Sequence, residues 1–435
     1  MEHSFRIFFR CLIVCAFFSI GLSMNSQSFV QVQNGRFSLN GEPYYYIGAN
    51  LWYAPILGSR AEGGNRDRLR LELDSLKSLG VNNLRILVGA EWGSSNAPFV
   101  EPVLLRKDGT CDESVFEGLD YLLNEMADRG MVGVFYLTNA WDWSGGYGHY
   151  LSRMGLGDSP NADGDGWNAY CRYASQFYTV KGAQKIYHRY VRSIVSRRNA
   201  LTGRLYADEP AIMAWQIANE PRPFLMERAQ DMAKFLRKTS RLIKSIDKNH
   251  LVSIGGEGII GCQYDSLLFR QISSDKHIDY ITIHIWPKNW SWVRNDNLSE
   301  GLGDVFLQTR RYIDQHKDVA HLLAKPIVIE EFGYPRDGAS YAADASVLAR
   351  NKFYEFIFAE IEQNAQSGGL VAGCNFWGWG GSGRANALRW QKGDDFLCDP
   401  PHEPQGWYSV FDSDQSTCDL IRRYAHIVQS NGRNP

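Results

Sequence analysis

Two short stretches of the sequence each place a glutamate directly after an apolar run. Residues 211–221, Ala-Ile-Met-Ala-Trp-Gln-Ile-Ala-Asn-Glu-Pro, have the composition of a strand buried on both faces until they reach Glu220. Residues 326–333, Pro-Ile-Val-Ile-Glu-Glu-Phe-Gly, form a second β-rich run, whose last carboxylate is Glu331. Two carboxylates at the ends of two buried strands are what cleavage of a glycosidic bond by paired glutamates requires. A single glutamate at a strand end is usually just a solvated residue, so the hypothesis rests on the pair.

The elements that must position this pair alternate along the chain. Eight short apolar runs predict strands at residues 44–51, 83–89, 131–137, 211–221, 250–254, 280–285, 326–329 and 373–379. Amphipathic patterns predict helices at about residues 65–79, 114–129, 183–198, 225–247 and 344–366. This alternation predicts an α/β fold, a (β/α)8 TIM barrel with its active site on the carboxyl face. Because no linker or repeat interrupts it, residues 28–435 are predicted to form a single barrel domain with long loops.

Polar and aromatic residues gather at or just beyond the predicted strand ends, where the barrel places chemistry. They are Trp52, Arg85, Trp92, Asn139, Trp141, Trp143, Asn219, Glu220, His284, Trp286, Glu331 and Trp377. Flat aromatic rings stack on the apolar C–H faces of sugars, which favours a carbohydrate ligand. Tryptophans in the polar loops 141–143 and 286–292 are expected to contact that ligand, whereas Trp215, inside a strand, is expected in the core.

Two charged or titratable side chains interrupt otherwise apolar strands. Arg85 needs a carboxylate partner if it is buried, and next to Glu331 it would keep that group charged. The alternative is a structural salt bridge at the barrel rim. His284 follows the sixth strand, and a lone histidine is more often a hydrogen-bonding group than a catalyst, so we expect a supporting role.

Charge and the first residues limit the partners and the location of the protein. The 46 Lys and Arg balance 48 Asp and Glu without a run of either sign, which argues against nucleic acid or an anionic membrane surface as a partner. Arg6 and Arg10 precede a short apolar stretch at residues 11–20, the pattern of a cleaved secretory signal covering residues 1–27. We therefore expect a secreted protein, extracellular or periplasmic, with no membrane insertion after signal cleavage.

Metal and redox motifs are absent from the mature sequence. Its six cysteines form no Cys-x-x-Cys pair, and in an oxidising compartment one or two disulfides are expected, with Cys398 and Cys418 bracketing a loop. Residues 161–166 resemble the start of a calcium-binding loop, but Arg172 stands where the twelfth-position glutamate is required. A solvated turn is favoured there, and no metal site is predicted.

The sequence resembles family 5 glycoside hydrolases in a set of short motifs that are specific in combination. They are Asn219-Glu220-Pro221-Arg222, Glu331-Phe332-Gly333, Arg85, His284 and Trp377. Within that family, residues 48–53, 137–146 and 217–222 resemble the endo-β-1,4-mannanase branch, subfamily 7. The similarity spans nearly the whole mature chain. It implies a retaining enzyme without a cofactor that hydrolyses internal β-1,4 linkages of mannan, glucomannan or galactomannan, all plant polysaccharides.

The resemblance also implies roles for individual residues. Glu220 would be the general acid/base and Glu331 the nucleophile; the neighbouring Glu330 is set aside because adjacent residues of a strand point to opposite sides, and because the family's nucleophile directly precedes an aromatic-Gly pair. The implied binding and supporting set is Asn219 at the sugar 2-hydroxyl, Arg85 and His284 beside the carboxylates, Trp377 under the attacked sugar, Arg222 on the leaving-group side, and Trp52, Asn139, Trp141 and Trp286 around them.

The sequence departs from the family pattern at two positions, and the contacts made there are not decided by the sequence. Two alternative functions also remain open. Asn139 stands where many members have histidine, and Trp286 stands where the His-x-Tyr pattern has tyrosine, although an indole N–H can also donate to a carboxylate. An endo-β-1,4-glucanase would share the core motifs. A non-catalytic glycan-binding protein would keep the aromatic residues, but it would not need both glutamates together with Arg85 and Asn219.

Overall fold

The computed structural model describes residues 28–93, 99–162 and 164–431, and eight parallel strands form its centre. The strands are β1 (Tyr46–Asn50), β2 (Asn83–Leu87), β3 (Val132–Tyr136), β4 (Ile212–Gln216), β5 (Leu251–Ser253), β6 (Ile281–Ile285), β7 (Ile327–Phe332) and β8 (Val371–Phe376). Their order in the sheet is β5-β4-β3-β2-β1-β8-β7-β6. Every residue of these strands is buried, which explains why they form continuous apolar runs.

The two ends of this sheet come together between β5 and β6. The amide of Asp279 donates to the carbonyl of Val252 at 2.8 Å, and the amide of His284 donates to the carbonyl of Glu257 at 3.1 Å. These bonds join the strand ends outside the regular ladder. The predicted (β/α)8 barrel is confirmed.

Helices surround the barrel and connect its strands. They are α1 (Ala54–Gly58), α2 (Arg66–Ser78), α3 (Glu113–Asp128), α4 (Gly146–Ser152), α5 (Trp167–Ala174), α6 (Lys181–Val195), α7 (Ala229–Ile246), α8 (Ser266–Ser273), α9 (Leu302–Leu323), α10 (Leu348–Ser367) and α11 (Gln415–Asn431). The five predicted helices are present as α2, α3, α6, α7 and α10. The 22-residue α9 was not predicted. Its buried face includes Thr309, His316 and Ala320, which weaken the apolar stripe that would have revealed it.

Small sheets and the terminal segments complete the architecture. A three-stranded antiparallel sheet, Gln31–Gln33, Arg36–Leu39 and Glu42–Pro43, precedes the barrel. Trp379–Gly381 pairs in parallel with Val410–Phe411. The predicted secretory signal at residues 1–27 lies outside the described residues. Within the part of the chain that the structure describes, no helix combines the length and the apolar composition that crossing a bilayer demands.

The expectation of disulfides is wrong for this structure. The six cysteines that follow residue 27 all lie among the described residues, and each is a free thiol. Five of them are buried and pack as small apolar side chains. Cys398, for example, donates weakly to the carbonyl of Asn50 at 3.5 Å instead of pairing with Cys418.

Asp414 anchors the carboxyl-terminal helix to the barrel through two buried arginines. Its carboxylate accepts two hydrogen bonds from Arg336, at 2.9 and 2.7 Å, and lies 3.5 Å from Arg350. It also accepts the amide of Phe411 at 2.9 Å. Because both guanidinium groups are fully buried, their charges depend on this carboxylate for compensation.

Asp414→Asn is expected to lower the free energy of unfolding by roughly 3–5 kcal/mol, because it leaves buried charge uncompensated. Urea unfolding followed by tryptophan fluorescence measures the change. The matched control is Asp412→Asn, whose partner Arg384 is 42% exposed, and there the expected loss is under about 1 kcal/mol. Equal losses for the two variants would contradict the anchoring role.

Candidate active site

Glu220 reaches the carboxyl face of the barrel on a short segment that follows β4. The strand ends at Gln216, earlier than the sequence predicts, and the next four residues continue along the barrel through single backbone bonds. The amide of Asn219 donates to the carbonyl of Thr138 at 2.8 Å, and the amide of Glu220 donates to the carbonyl of Gly255 at 2.8 Å. Glu220 has φ +49°, a left-handed conformation that is uncommon outside glycine and frequent at functional sites. Backbone bonds to both neighbouring strands therefore fix this carboxylate.

Glu331 lies in β7, where the register against β6 shifts. Ile329 pairs with Ile283, whereas Glu331 pairs with His284, so the shift falls at Glu330. This irregularity explains why strict alternation does not separate the two glutamates. Both carboxylates approach Arg85, with Glu330 at 3.6 Å and Glu331 in a direct hydrogen bond. Glu331 lines the open cavity, whereas Glu330 does not.

Glu330 belongs to the interior of the barrel. Its carboxylate accepts hydrogen bonds from Gln216 and from the hydroxyl of Tyr280, the latter at 3.1 Å. Burial raises its pKa, and the charge of Arg85 opposes that effect. These contacts assign Glu330 to the support of Arg85 rather than to contact with a ligand.

Arg85 connects four polar groups and has no exposed surface. Its guanidinium donates to Glu331, to Oδ1 of Asn219 at 2.7 Å, to Oε1 of Gln216 at 2.9 Å and to Oδ1 of Asn50 at 3.2 Å. Burial disfavours the charge of Arg85, but the two neighbouring glutamates outweigh that cost and raise its pKa. The arrangement is the carboxylate partnership predicted from the sequence, with the amide of Asn219 oriented by the same group.

His284 lies between the two glutamates. Its Nδ1 is 2.7 Å from Oε1 of Glu220 and 3.3 Å from Oε2 of Glu331. One oxygen of each carboxylate and one nitrogen of the imidazole all lie within 4.8 Å of one another. Carboxylates about 5 Å apart serve a retaining glycosidase, whereas an inverting enzyme needs roughly 6.5–9.5 Å to admit water. The spacing therefore fits attack by one carboxylate and protonation by the other.

The pKa values of His284 and Glu220 shift in opposite directions. Burial lowers the pKa of His284, but the charge of Glu331 and the contact with Glu220 outweigh it and raise that pKa to about 10. Burial raises the pKa of Glu220, yet the hydrogen bond and charge of His284 lower it to about 2. The resting proton therefore resides on the imidazole. For Glu220 to act as an acid, that proton must pass to its carboxylate along the 2.7 Å hydrogen bond.

Aromatic side chains surround this charged centre and form a cavity of about 460 Å³. The indole N–H of Trp141 donates to Glu220 at 2.6 Å, and that of Trp286 donates to Glu331 at 3.3 Å. Trp286 thus makes the contact left open by the sequence. Trp377 lies against Trp286 with ring centroids 6.0 Å apart and lines the same cavity. Trp143 and Trp290 also face the cavity.

Other predicted contacts lie elsewhere. Trp52, predicted in the binding and supporting set, does not line the cavity; it is 2% exposed, and its indole N–H donates to the carbonyl of Cys398 at 2.8 Å. It instead holds the loop that returns from β8. Asn139 is also buried; its Oδ1 accepts from Asn219 and from the amide of Trp141, both at 3.2 Å. It orients those two residues. The sequence placed these side chains near the site but could not show which way they point.

Trp92 and Trp292 are not among the residues that line the cavity. The ammonium of Lys107 lies 4.3 Å from the centroid of the Trp92 ring. Trp292 packs on Tyr312 with ring centroids 6.1 Å apart. The ring centroid of Trp292 also lies 5.1 Å from that of Trp290, which does line the cavity, and the expected ligand contact of Trp292 stays a prediction. Trp215, expected in the core, is 1% exposed.

Sequence reasoning missed a second ionic pair on the side of Glu220. Arg222, predicted on the leaving-group side, pairs with Glu257 and lies over the ring of Trp141 at 4.9 Å from its centroid. Glu257 lies four residues after the end of β5, so its place beyond a strand end was a usable signal. Burial raises its pKa to about 7, with Arg222 opposing and Glu220 reinforcing the shift.

The loop after β8 contributes a further carboxyl group that the sequence analysis did not identify. Glu403 faces the cavity, and burial together with the charges of Asp399, Glu220 and Glu331 raises its pKa to about 8. Asp399 fixes the loop by accepting the amide of Tyr408 at 2.7 Å and that of Gly406 at 2.9 Å. Since about 70 residues of sequence separate Glu403 from Glu331, no local pattern connects them.

Comparison with known proteins decides the family. The family described as GH family 5 β-mannosidase-like matches residues 27–433. The chain belongs to this family 5 group of glycoside hydrolases. The chain is therefore a glycoside hydrolase, and its paired glutamates have the arrangement that cleavage of a glycosidic bond requires.

Relatives and solved structures agree with this membership. Mannan endo-1,4-β-mannosidase 1 of Arabidopsis thaliana is 28% identical over 366 residues, covering 80% of this chain and 81% of that protein. The family 5 mannosidase of Rhizomucor miehei is 31% identical, with a TM-score of 0.86, covering 94% of this chain and 99% of that one. The endo-1,4-β-mannanase of Rhizomucor miehei is 21% identical with a TM-score of 0.66, covering 93% and 100%, and shares the fold.

Glu331→Gln is expected to lower kcat of the glycoside hydrolase by roughly 10⁴-fold or more on every substrate, because an amide cannot form the glycosyl-enzyme ester. Hydrolysis of a nitrophenyl glycoside measures it. Glu330→Gln, the adjacent and nearly isosteric control, is expected to remain active because Glu330 does not line the cavity. An active Glu331→Gln enzyme beside an inactive Glu330→Gln enzyme would reverse the assignment.

His284→Gln is expected to move the alkaline limb of kcat/KM to lower pH by at least about one pH unit. The pKa of His284 is raised, so the wild type holds the shared proton below about pH 10 and loses activity as pH rises through that range. Without the imidazole, Glu220 alone must hold the proton, and a carboxylate releases it at lower pH. His277→Gln, on the surface side near Asp275, is the control and should leave the profile unchanged. An unshifted alkaline limb in His284→Gln would contradict proton sharing.

Proposed function

We propose that this enzyme is a retaining endo-β-1,4-mannanase that hydrolyses β-1,4 linkages of mannan, glucomannan or galactomannan. The observation that carries the proposal is the pair Glu220 and Glu331, which both contact His284. Their nearest carboxylate oxygens lie within 4.8 Å of each other, the separation found in enzymes that retain the anomeric configuration. The substrate class is supported by the curated relatives, which are named mannan endo-1,4-β-mannosidases. In the first step Glu331 attacks the anomeric carbon while Glu220 protonates the leaving oxygen. In the second step Glu220 takes a proton from the water that releases the sugar.

Recognition of mannose must come from polar groups near the 2-hydroxyl, since only its orientation distinguishes mannose from glucose. Asn219 is the candidate expected to lie nearest the sugar 2-hydroxyl, because it lines the cavity together with Glu220 and Glu331. Its Oδ1 accepts from Arg85, and one N–H of its Nδ2 donates to Asn139. The second N–H of that amide remains to donate to a sugar hydroxyl. A fixed donor of this kind discriminates because the wrong sugar leaves it unpaired.

A second candidate function is removal of mannose from chain ends, and the loop after β8 favours it. Pro400, Glu403 and Tyr408 of this loop line the cavity beside Trp286, and the ring of Tyr408 lies 5.0 Å from that of Trp286. A wall on the nucleophile's side restricts the number of sugars that fit on the non-reducing side of the attacked one. The family description, β-mannosidase-like, is consistent with such action.

We also propose that the protein is exported and acts outside the cytoplasm. The support is the sequence alone, namely Arg6 and Arg10 before the apolar residues 11–20. A polymeric substrate outside the cell would require export. Amino-terminal sequencing of the mature protein, expressed from its own gene, tests this by the loss of the first residues.

The enzyme is expected to show kcat/KM on unsubstituted mannan or glucomannan at least about a hundredfold above that on cellulose, because the fixed polar groups near the 2-hydroxyl favour one epimer. Reducing-sugar assays on mannan, glucomannan, cellulose and xylan measure it side by side. Comparable rates on manno- and cello-oligosaccharides of equal length would contradict mannanase activity. Rapid loss of mannan viscosity indicates internal cleavage, whereas mannose as the sole early product indicates cleavage from chain ends.

A further inference from the structure

Trp167 exposes a large aromatic surface at the edge of the active-site cavity. It is the first residue of α5, lines the cavity and is 46% exposed. Tryptophan is mostly buried in folded proteins, so an exposed ring beside a binding cavity calls for a ligand. The catalytic steps described above do not use this residue.

The position of Trp167 is fixed by buried neighbours. Its ring lies 5.7 Å from that of Trp141 and 6.2 Å from that of Tyr170. The hydroxyl of Tyr170 donates to the carbonyl of Ala140, which ties α5 to the loop that carries Trp141. Tyr170 is buried and packs α5 against the core, whereas Trp167 leaves much of its ring exposed. The exposed face of Trp167 is therefore not needed to hold α5 in place.

Trp167 lies on the leaving-group side of the cleaved bond. Glu220 protonates the leaving oxygen, and Trp141 donates to Glu220 at 2.6 Å. Continuing away from Glu220, the guanidinium of Arg222 lies 4.9 Å from the Trp141 centroid and 5.9 Å from the Trp167 centroid. Arg222 therefore covers a face of Trp141, while Trp167 is the next ring outward and retains open surface.

We propose that Trp167 is the platform of a second leaving-group subsite, which stacks the second sugar beyond the cleaved bond. This inference rests on the proposed function and specifies the substrate at that site. Sugar rings offer an apolar face to such a platform, and Arg222 with Glu257 supplies polar partners on the same wall. The enzyme thereby favours leaving groups of at least two β-1,4-linked sugars over a single sugar.

The test uses transfer to acceptors, because acceptors occupy the same subsites as leaving groups. A nitrophenyl β-mannoside forms the glycosyl-enzyme ester at Glu331 and releases nitrophenol. An acceptor hydroxyl then attacks the anomeric carbon, its proton passes to Glu220, and Glu331 leaves as a carboxylate. Methyl β-mannoside offers one sugar and methyl β-mannobioside offers two. Both acceptors react with the same glycosyl-enzyme, so the rate at which it forms cancels in the ratio of their transfer efficiencies. The ratio therefore measures how much the second leaving-group subsite favours the longer acceptor.

We expect the wild type to favour the two-sugar acceptor roughly tenfold, and Trp167→Ala to abolish that preference while hydrolysis of the nitrophenyl mannoside stays within about twofold. Trp167→Phe should restore part of the preference. Met154 is another exposed apolar residue in the segment between β3 and β4, and Met154→Ala should leave the preference unchanged. An unchanged preference in Trp167→Ala, an equal loss for both acceptors, or a wild type without the preference would overturn the proposal.

Failure of the proposed function has a separate signature. If the wild type hydrolyses no β-mannoside, the mannanase proposal is lost. The same acceptor ratio is then measured with a nitrophenyl β-glucoside and one- or two-residue gluco-acceptors. Loss of the two-sugar preference on Trp167→Ala supports the subsite there, and its persistence overturns it.

Discussion

The guanidinium of Arg85 is a permanent charge with no access to solvent, and the geometry of the active site follows from the need to compensate it. An unpaired ion at such a site costs several kcal/mol even after the protein relaxes. Arg85 meets this need with Glu331 and the nearby Glu330, and it directs its remaining donors to amide oxygens, including that of Asn219. Glu331 and the side-chain amide of Asn219 are therefore oriented by one buried cation.

The same low-polarity environment explains why His284 and the indoles are needed. With two carboxylates within 4.8 Å of an imidazole nitrogen, a site without a proton would concentrate negative charge in the barrel. The raised pKa of His284 favours a proton on its imidazole, which lies one hydrogen bond from Glu220. Trp141 and Trp286 each add a neutral donor to one glutamate, so the carboxylates are oriented without further charge. Glu220 and Glu331 thus differ through their neighbours rather than through residue type.

Much of the barrel and the chemical centre could be predicted from sequence because their signals are local. Each strand is buried on both faces, so it appears as an apolar run, and Glu220 and Glu331 follow such runs. Arg85 was recognisable as a charge inside a strand. The direction of a side chain depends on tertiary contacts that a local pattern does not show. Trp52, for example, points to the carbonyl of Cys398, and Asn139 points to Asn219. The loop carrying Glu403 could not be placed either, since only tertiary contacts bring it to the barrel mouth.

The two sides of the cavity are built from different parts of the chain, and this difference separates chemistry from substrate selection. The barrel strands supply Arg85, His284 and Glu331, whose buried hydrogen bonds leave little freedom to change. The wall next to Glu220 comes from the segment between β3 and β4 and from Arg222, and Trp167 in that segment keeps nearly half of its surface exposed, at 46%. The opposite wall comes from the loop after β8, tied down by Asp399. Trp141 donates to Glu220, and the charge of Arg222 helps to lower the pKa of Glu220, so the inner part of the first wall is tied to the charged centre. Trp167 lies against Trp141 on the outer side, where a change of side chain leaves the hydrogen bond between His284 and Glu220 in place.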